Sequence, residues 1–127
     1  MNMNQVTLPV NNIKKAVDFY LKLGFTQIVD SDHYARFVSS VGNATFSLSQ
    51  QESTINHNAV IYFEYELLDQ WVDELIAKGV EFKQMPTDMS YLWREAICFD
   101  PSGNKIKLYW AGENRLNPPW KVNITNN

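Results

Sequence analysis

The sequence has one cysteine, two histidines and no block of like charge. The single cysteine, Cys98, excludes a disulfide within the chain. The 11 basic and 14 acidic residues give a formal net charge of -3 and are spread along the chain, which argues against a nucleic-acid groove or a membrane-surface patch. The N-terminus lacks the charged and then apolar pattern of a secretory signal, so we expect a cytoplasmic protein.

The sequence also lacks a recognisable nucleophile or phosphate loop. No glycine-rich phosphate-binding motif occurs, and Ser47 has no recognisable neighbouring base. Strand alternation places Cys98 on the face of Ile106 and Leu108, where we expect a small core residue and not a reactive thiol. His33 has no second histidine or carboxylate at a ligand spacing, so it is interpreted as a turn or rim residue.

A weak internal repeat organises the chain. When the sequence is shifted by 55 positions, residues 16–25 overlie residues 71–80, and in both copies an amphipathic helix ends at a glycine, Gly24 or Gly79. A short alternating strand precedes each helix. Because neither half is large enough to bury a full core, we expect the halves to pair and to form a ligand cavity where their sheets meet.

The hydrophobic pattern predicts the order strand, helix and three strands in each half. The predicted elements of the first half are strands at 5–10, 25–29, 34–39 and 44–49 and a helix at 12–23, followed by a linker at 50–57. Those of the second half are strands at 60–65, 80–83, 93–99 and 104–110, a helix at 67–78, a cavity-mouth loop at 85–89 and a tight turn at 100–104. The predicted fold class is α+β, a single domain of two tandem βαβββ modules, about 5–50 and 58–110, that form a cupped mixed sheet, with a C-terminal tail at 111–127.

Residues 5–120 resemble the vicinal oxygen chelate superfamily, which includes glyoxalase I, extradiol dioxygenases, fosfomycin resistance proteins and bleomycin-binding proteins. The segments that carry this resemblance are 8–10 (LPV), 18–20 (DFY), 23–25 (LGF) and 100–104 (DPSGN). A narrower resemblance is to small, largely uncharacterised members that share 33–37 (HYARF), 93–96 (WREA), 111–115 (AGENR) and 118–120 (PPW).

The resemblance also implies four positions that hold a divalent ion in the metal-dependent members. Carried over by position, these slots are occupied here by Gln5, Ser47, Val60 and Lys107. Gln5 is a usual ligand, but Val60 has no lone pair and Ser47 is a weak neutral ligand. Lys107 would bring an ammonium to the metal position. We therefore expect a family member without the metal site and without a cofactor.

An alternative metal set consists of Gln5, His57 and Glu64. It requires a slip of three residues in the strand that begins the second half, which would turn His57 to the other face of that strand. The simpler interpretation of His57 is a loop residue.

Lys107 is predicted to point into the cavity together with Tyr109, because Ile106 and Leu108 alternate with it and should face the helices. A buried ammonium needs a carboxylate partner, and pairing of the last hairpin brings Glu95 within diagonal reach. Glu64 is the other candidate partner. The alternative is that Lys107 reaches outward as an ordinary strand lysine.

The other candidate ligand-binding residues are aromatic, cationic or hydroxyl-bearing. They are Tyr34, Arg36, Ser47, Tyr62, Trp93, Arg94 and Trp120. The rings could stack on a planar ligand or pack in the core. The two arginines could hold a carboxylate or phosphate in bidentate fashion, or make surface ion pairs of little energetic value.

These features favour metal-independent binding of a small organic molecule, anionic or carbonyl-bearing and partly aromatic, as the resemblance to bleomycin-binding proteins implies. A second hypothesis is a glyoxalase- or dioxygenase-type enzyme with an unrecognised metal set or with acid–base chemistry by Glu64, Glu95 or Lys107. A third is a structural or regulatory module with a vestigial cavity. The resemblance also implies a homodimer, in which the rigid Pro118-Pro119 unit would carry Trp120 to the partner or over the cavity.

Overall fold

The computed structural model describes residues 1–123, so the last four residues of the predicted tail, 124–127, lie outside the described residues. The strands of the first half are β1 (Gln5–Val10), β2 (Thr26–Asp30), β3 (Tyr34–Val38) and β4 (Thr45–Gln50). Those of the second half are β5 (Val60–Glu64), β6 (Phe82–Asp88), β7 (Arg94–Phe99) and β8 (Lys105–Trp110). The helices are α1 (Ile13–Leu23), α2 (Leu68–Ala77) and a short 3-10 helix at Gly112–Arg115.

The strands form two four-stranded sheets, in the orders β1-β4-β3-β2 and β5-β8-β7-β6. In the first sheet β1 is parallel to β4, whereas β3 is antiparallel to both β4 and β2. Each half follows the predicted order of elements, and the α+β fold class is confirmed. The described chain divides into two compact units, residues 1–60 with 99–106, and residues 61–98 with 107–123. The single-domain organisation stays a prediction.

Helix α1 begins and ends where its sequence predicts. The Asn12 side chain accepts a hydrogen bond from the backbone N–H three residues later at 3.1 Å, which satisfies one unpaired donor at the start of the helix. Gly24 ends the helix at φ 104°, a conformation that favours glycine. The ring of Tyr20, which is fully buried, lies 5.9 Å from that of Phe37 and 5.0 Å from that of Phe46, so α1 covers this face of the first sheet.

A buried polar anchor completes the first unit. The hydroxyl of Tyr20 donates to Asp100 Oδ2 at 2.7 Å. The other carboxylate oxygen of Asp100 accepts from the backbone N–H groups of Ser102 and Asn104, each at 2.9 Å. The Asn104 amide donates to the carbonyl of Pro9 at 2.8 Å. The predicted turn at 100–104 is therefore confirmed, and its two buried polar side chains, Asp100 and Asn104, are hydrogen-bonded in the interior.

The second sheet has one apolar face. Its buried residues on β7 and β8 alternate along the strands, and α2 contributes a buried stripe; together they are Ala96, Cys98, Ile106, Leu108, Leu68, Val72 and Leu75. The prediction that Cys98 is a core residue is confirmed. In residues 1–123, neither helix is long and apolar enough to cross a membrane.

Two features of the second half differ from the prediction. Strand β6 continues to Asp88, so the shorter strand at 80–83 and the loop at 85–89 were wrong. β6 is the edge strand of its sheet, and its pairing with β7 shifts register between Gln84 and Thr87, which accommodates Pro86. In addition, the 55-residue repeat holds for β5 and α2, whereas β8 follows β4 by 60 positions.

Candidate functional site

An ion pair lies on the second sheet. Lys107 on β8 places its Nζ 3.1 Å from Oε1 of Glu95 on the neighbouring strand β7. The Lys107 side chain is 16% exposed and the Glu95 side chain is 1% exposed. The predicted pairing of these two residues is confirmed, because the turn at 100–104 returns the chain directly alongside β7. Lys107 therefore does not reach outward as an ordinary strand lysine.

The charges at this pair are set by burial and by the contacts of Glu95. Burial alone lowers the pKa of Lys107, but the hydrogen bond and negative charge of Glu95 offset this, so the pKa of Lys107 lies above its ordinary value. The Tyr91 hydroxyl donates to the same oxygen, Glu95 Oε1. Burial, and then the hydrogen bond and charge of Glu95, raise the pKa of Tyr91. At neutral pH the site therefore holds an ammonium and a neutral phenol.

The other carboxylate oxygen of Glu95 is unusual. Oε2 is buried and has no hydrogen-bond partner among residues 1–123. Leaving a buried acceptor unpaired costs roughly 1–3 kcal/mol. Buried polar atoms of this kind are rare in native proteins and often mark a place where a water, an ion or a functional group belongs.

Four aromatic rings form a cluster on the same sheet as Lys107. Trp93 and Tyr109 stack with their centroids 4.7 Å apart, and Tyr62 meets both edge-on at 5.9 and 5.5 Å. Tyr91 contacts Trp93 at 6.0 Å. The Nζ of Lys107 lies 5.5 Å from the centroid of the Tyr62 ring, within reach of a cation–π interaction. These rings form an aromatic wall beside the Lys107 ammonium.

A cavity of about 460 Å³ opens at this wall. It is lined by Tyr62, Tyr91, Trp93 and Lys107, and by four residues of the tail, Asn114, Arg115, Pro118 and Trp120. This volume falls in the range of roughly 300–1,000 Å³ that is typical of small-molecule sites. The tail thus borders a cavity of its own unit, with Trp120 57% exposed at the rim.

Arg94 is not brought together with these residues. Alternation along β7 turns it away from Glu95, and it forms hydrogen bonds to both carboxylate oxygens of Asp69 at 2.9 Å and to Asp88 at 3.1 Å. It lines a different cavity, at the start of α2 with Trp110. These contacts are the ion pairs that were the alternative interpretation of Arg94, and a ligand-binding role for it stays a prediction.

A second polar cluster lies on the first sheet. Ser47, fully buried on β4, accepts hydrogen bonds from Gln5 Nε2 at 2.8 Å and from the Tyr34 hydroxyl at 2.6 Å. Arg36 donates to the Tyr34 oxygen through Nε at 3.2 Å and Nη2 at 2.9 Å. The cluster faces away from α1, because Phe37 and the other ring residues alternate to the opposite side.

The contacts of Tyr34 change its acidity. The hydrogen bond with Ser47, followed by that from Arg36, lowers the pKa of the Tyr34 phenol below its ordinary value, although burial opposes the shift. The pKa values of Tyr34 and Tyr91 are therefore shifted in opposite directions, the first by hydrogen bonds with Ser47 and Arg36 and the second by burial and a carboxylate.

The residues at the family's four metal positions are not suited to hold a divalent ion. The Gln5 amide nitrogen is bonded to Ser47, and the Gln5 amide oxygen contacts the Thr45 hydroxyl. Val60 has no donor atom, and Lys107 carries a positive charge that is held there by Glu95. Residues 1–123 also contain no cluster of three or more histidine, cysteine, aspartate or glutamate side chains suited to a metal.

The members of the alternative metal set are engaged elsewhere. His57 Nδ1 accepts from the Ala59 N–H at 3.1 Å, so its Nε2 carries the hydrogen and donates to Asn104 Oδ1 at 2.7 Å. Glu64 Oε2 accepts from the N–H groups of Ala111 and Gly112 at 2.9 and 3.1 Å. Glu64 thus anchors the start of the tail, a structural role.

Several residues of the site were not anticipated from the sequence. Tyr91 follows β6 in a segment without periodicity, where Leu92 takes the uncommon φ of 68° and reverses the chain before Trp93. Arg115, whose Nε lies 3.7 Å from Glu64 Oε1, belongs to a tail whose path no periodic pattern predicts. The motif 111–115 was the one available signal for the tail.

Comparison with known proteins agrees with the fold. Residues 2–108 match the Glyoxalase/Bleomycin resistance protein/Dioxygenase superfamily. The chain is 27% identical over 125 residues to the uncharacterized protein YraH of Bacillus subtilis (strain 168), which covers 86% of this chain and 98% of that protein.

Two solved structures illustrate the structural likeness. A superfamily member from Sphaerobacter thermophilus DSM 20745 has a TM-score of 0.74 at 23% identity, over 87% of this chain and 97% of that chain. A bleomycin-binding protein complexed with bleomycin has a TM-score of 0.71 at 12% identity, over 88% and 100% of the two chains. The family match spans most of the sequence and confirms the resemblance seen in its motifs. The chain belongs to the glyoxalase/bleomycin resistance protein/dioxygenase superfamily.

Proposed function

We propose that this protein binds a small, partly aromatic molecule through a carboxylate or carbonyl oxygen, without a metal, in the cavity at Lys107. The observation that carries the proposal is the Lys107 ammonium at an aromatic cavity wall. An ammonium has three N–H donors, and Glu95 accepts from one of them. The others are available to an oxygen acceptor that enters the cavity.

The cavity walls support an aromatic ligand. Tyr62 and Trp93 present ring surface to the cavity, and Trp120 of the tail lies at its rim. Aromatic groups stack favourably on such surfaces. The likeness in fold to a bleomycin-binding protein is consistent with a protein that sequesters a small molecule and leaves it unchanged. Such a protein needs neither a nucleophile nor a metal.

The proposal is tested by screening small aromatic acids and their neutral analogues by thermal shift, followed by calorimetry of the hits. Lys107→Met removes the charge and keeps most of the stem, but it leaves Glu95 buried and unpaired. The double variant Lys107→Met with Glu95→Gln avoids that penalty. We expect it to weaken an acid by roughly 1.5–3 kcal/mol, the value of a hydrogen bond to a charged group.

The exposed lysine Lys83 on β6 provides the matched control, because Lys83→Met removes one positive charge outside the cavity. Affinity for the acid should be unchanged in Lys83→Met. Hits that are mainly cationic, or an acid that binds the double variant and the wild type equally, would refute the proposal.

A second candidate function is acid–base catalysis at the same cavity, which the unpaired Glu95 Oε2 favours. A buried carboxylate beside an ammonium is an arrangement that enzymes use for proton transfer. Mass spectrometry of each hit after incubation with the protein separates the two functions. Recovery of unchanged compound supports binding alone, whereas conversion that Glu95→Gln abolishes would assign catalysis.

A further inference from the structure

The arginines of the chain differ in what neutralises them. Arg94 forms an ion pair with Asp69, and Arg115 forms one with Glu64 on β5. On the first sheet, no carboxylate within residues 1–123 lies within ion-pair distance of Arg36. A half-buried guanidinium without a counter-charge is costly, since guanidinium stays protonated in proteins.

Strands β1, β3 and β4 place no acidic side chain on the face that holds Arg36. The face that Arg36 shares carries nine side chains from the three strands β1, β4 and β3, of which Arg36 is the one that is charged. The others are neutral: Gln5, Thr7, Pro9, Tyr34, Val38, Thr45, Ser47 and Ser49. The positive charge of this face is therefore not balanced by its own strands.

The guanidinium is held in a fixed orientation. Its Nε and Nη2 both donate to the Tyr34 oxygen, and Tyr34 is held in turn by Ser47, which is fully buried and also accepts from Gln5. These bonds use one edge of the planar fork. The hydrogens on Nη1 and the second hydrogen on Nη2 remain, and that edge matches the two oxygens of a carboxylate.

We propose that Arg36, oriented by Tyr34 and Ser47, binds the carboxylate group of a small molecule on the first sheet. The site lies entirely on first-unit residues, so it goes beyond the function proposed for the Lys107 cavity. One guanidinium with neutral hydroxyl neighbours balances a single negative charge. A carboxylate fits it better than a phosphate dianion, which needs a second cation.

The experiment observes the arginine side chains directly. Arg36, Arg94 and Arg115 are the three arginines of the chain, so the Nε–Hε region of a ¹⁵N-edited proton spectrum holds three signals, assigned by substitution. Sodium acetate is titrated at constant ionic strength against sodium chloride, and inorganic phosphate is titrated in a second series. We expect a saturable shift of the Arg36 signal with acetate and a weaker response to phosphate.

Substitutions test the roles of the residues, with the backbone amide of Ser47 as a common reporter. Arg36→Gln should weaken acetate binding roughly 10- to 100-fold, as expected for a lost charged hydrogen-bond pair. Tyr34→Phe should weaken it by a smaller factor, because the guanidinium remains but is no longer held. The matched control Arg94→Gln should leave the response unchanged.

The wild-type titration decides the question even if a variant fails to fold. A response confined to Arg94 or Arg115, a shift that chloride reproduces, or tighter binding of phosphate than of acetate would each overturn the proposal. The Arg36 Nε–Hε signal reports on the first sheet and the aromatic-acid screen on the Lys107 cavity, so failure of this site and failure of the Lys107 cavity are seen separately.

Discussion

The ion pair on the second sheet joins two side chains that differ in how deeply they are buried. Lys107 and Glu95 neutralise one another, and the Tyr91 hydroxyl adds a further bond to Glu95. The carboxylate is the more deeply buried partner, at 1% exposure against 16% for the lysine. Removing the lysine therefore leaves the Glu95 carboxylate charged where water cannot reach it. Removing the carboxylate leaves the Lys107 ammonium unpaired at the edge of the cavity.

This difference in burial predicts unequal effects on stability. Lys107→Met should lower the free energy of unfolding by about 3 kcal/mol, the lower end of the range for breaking a buried ion pair. Glu95→Gln should cost less, and the double variant should cost less than Lys107→Met alone. Urea unfolding of the three variants measures this order, and equal losses for the two single variants would contradict it.

Tyrosine ionisation gives a second prediction at this scale. The folded state lowers the pKa of Tyr34 and raises those of Tyr91 and Tyr109, the last chiefly through burial. Phenolate absorbance should therefore show one tyrosine that ionises before the others, absent in Tyr34→Phe and shifted upward in Arg36→Gln.

The direction of the Tyr34 pKa shift also determines the pH range in which this residue affects stability. Because the folded state favours the phenolate, Tyr34 contributes stability above about pH 10, the ordinary tyrosine pKa, and loses it as the pH falls through its folded-state pKa. Tyr34→Phe should thus leave the pH dependence of unfolding unchanged near neutrality. A titration in which the earliest tyrosine survives Tyr34→Phe would contradict the assignment.

At the scale of elements, alternation and turn chemistry account for what the sequence could predict. The pairing of Lys107 with Glu95 was predictable because their strands are joined by a turn of well-defined type. The hydrogen bonds that link Gln5, Ser47 and Tyr34 were not, because β1 and β4 meet through a parallel pairing across about forty residues. Hydrophobic alternation predicts which face of a strand a residue lies on, but it does not predict which strand is the neighbour in the sheet.

The limits of hydrophobic alternation also explain the features that the sequence analysis missed. The extension of β6 was missed because Met85 and Pro86 resemble a loop, although a proline is tolerated on an edge strand. Tyr91 was missed because no periodicity surrounds it. Arg94 was placed among the candidate ligand residues by residue type alone, and its alternation with Glu95 puts the two residues on opposite faces of β7.

The end of α1 provides a prediction for an element. A Cβ at Gly24 would meet no atom within 4 Å, so any cost of Gly24→Ala comes from the backbone at φ 104° and not from a clash. The free energy of unfolding should fall by roughly 1–2 kcal/mol. Lys15→Ala, an exposed substitution in the same helix, should stay within about 0.5 kcal/mol of the wild type. Chemical denaturation checks both, and an unchanged Gly24→Ala would contradict the conformational account.

At the scale of the whole molecule, the two units share one order of elements, and each has a polar cluster on the sheet face opposite its helix. The homodimer implied by the family resemblance stays a prediction, as does a cytoplasmic location. Trp120 lines a cavity of its own unit and remains 57% exposed, which leaves apolar surface for a partner to cover.

Assembly is measured by sedimentation. We expect a dimer at micromolar concentration, weakened by Trp120→Ala, because a large exposed aromatic at an interface commonly carries much of its binding energy. Tyr65→Ala, at another exposed aromatic, is the matched control and should leave the sedimentation coefficient unchanged. A monomer that Trp120→Ala does not alter would exclude this arrangement.

The central claim is that the Lys107 ammonium holds the ligand oxygen and that no metal takes part. Calorimetric titration of the best aromatic acid, into protein treated with excess EDTA and into protein supplied with Zn²⁺, Ni²⁺, Mn²⁺ or Fe²⁺, tests it most directly. The account predicts the same affinity in every case and no stoichiometric metal in the purified protein. Binding that EDTA abolishes and one of these ions restores would contradict it.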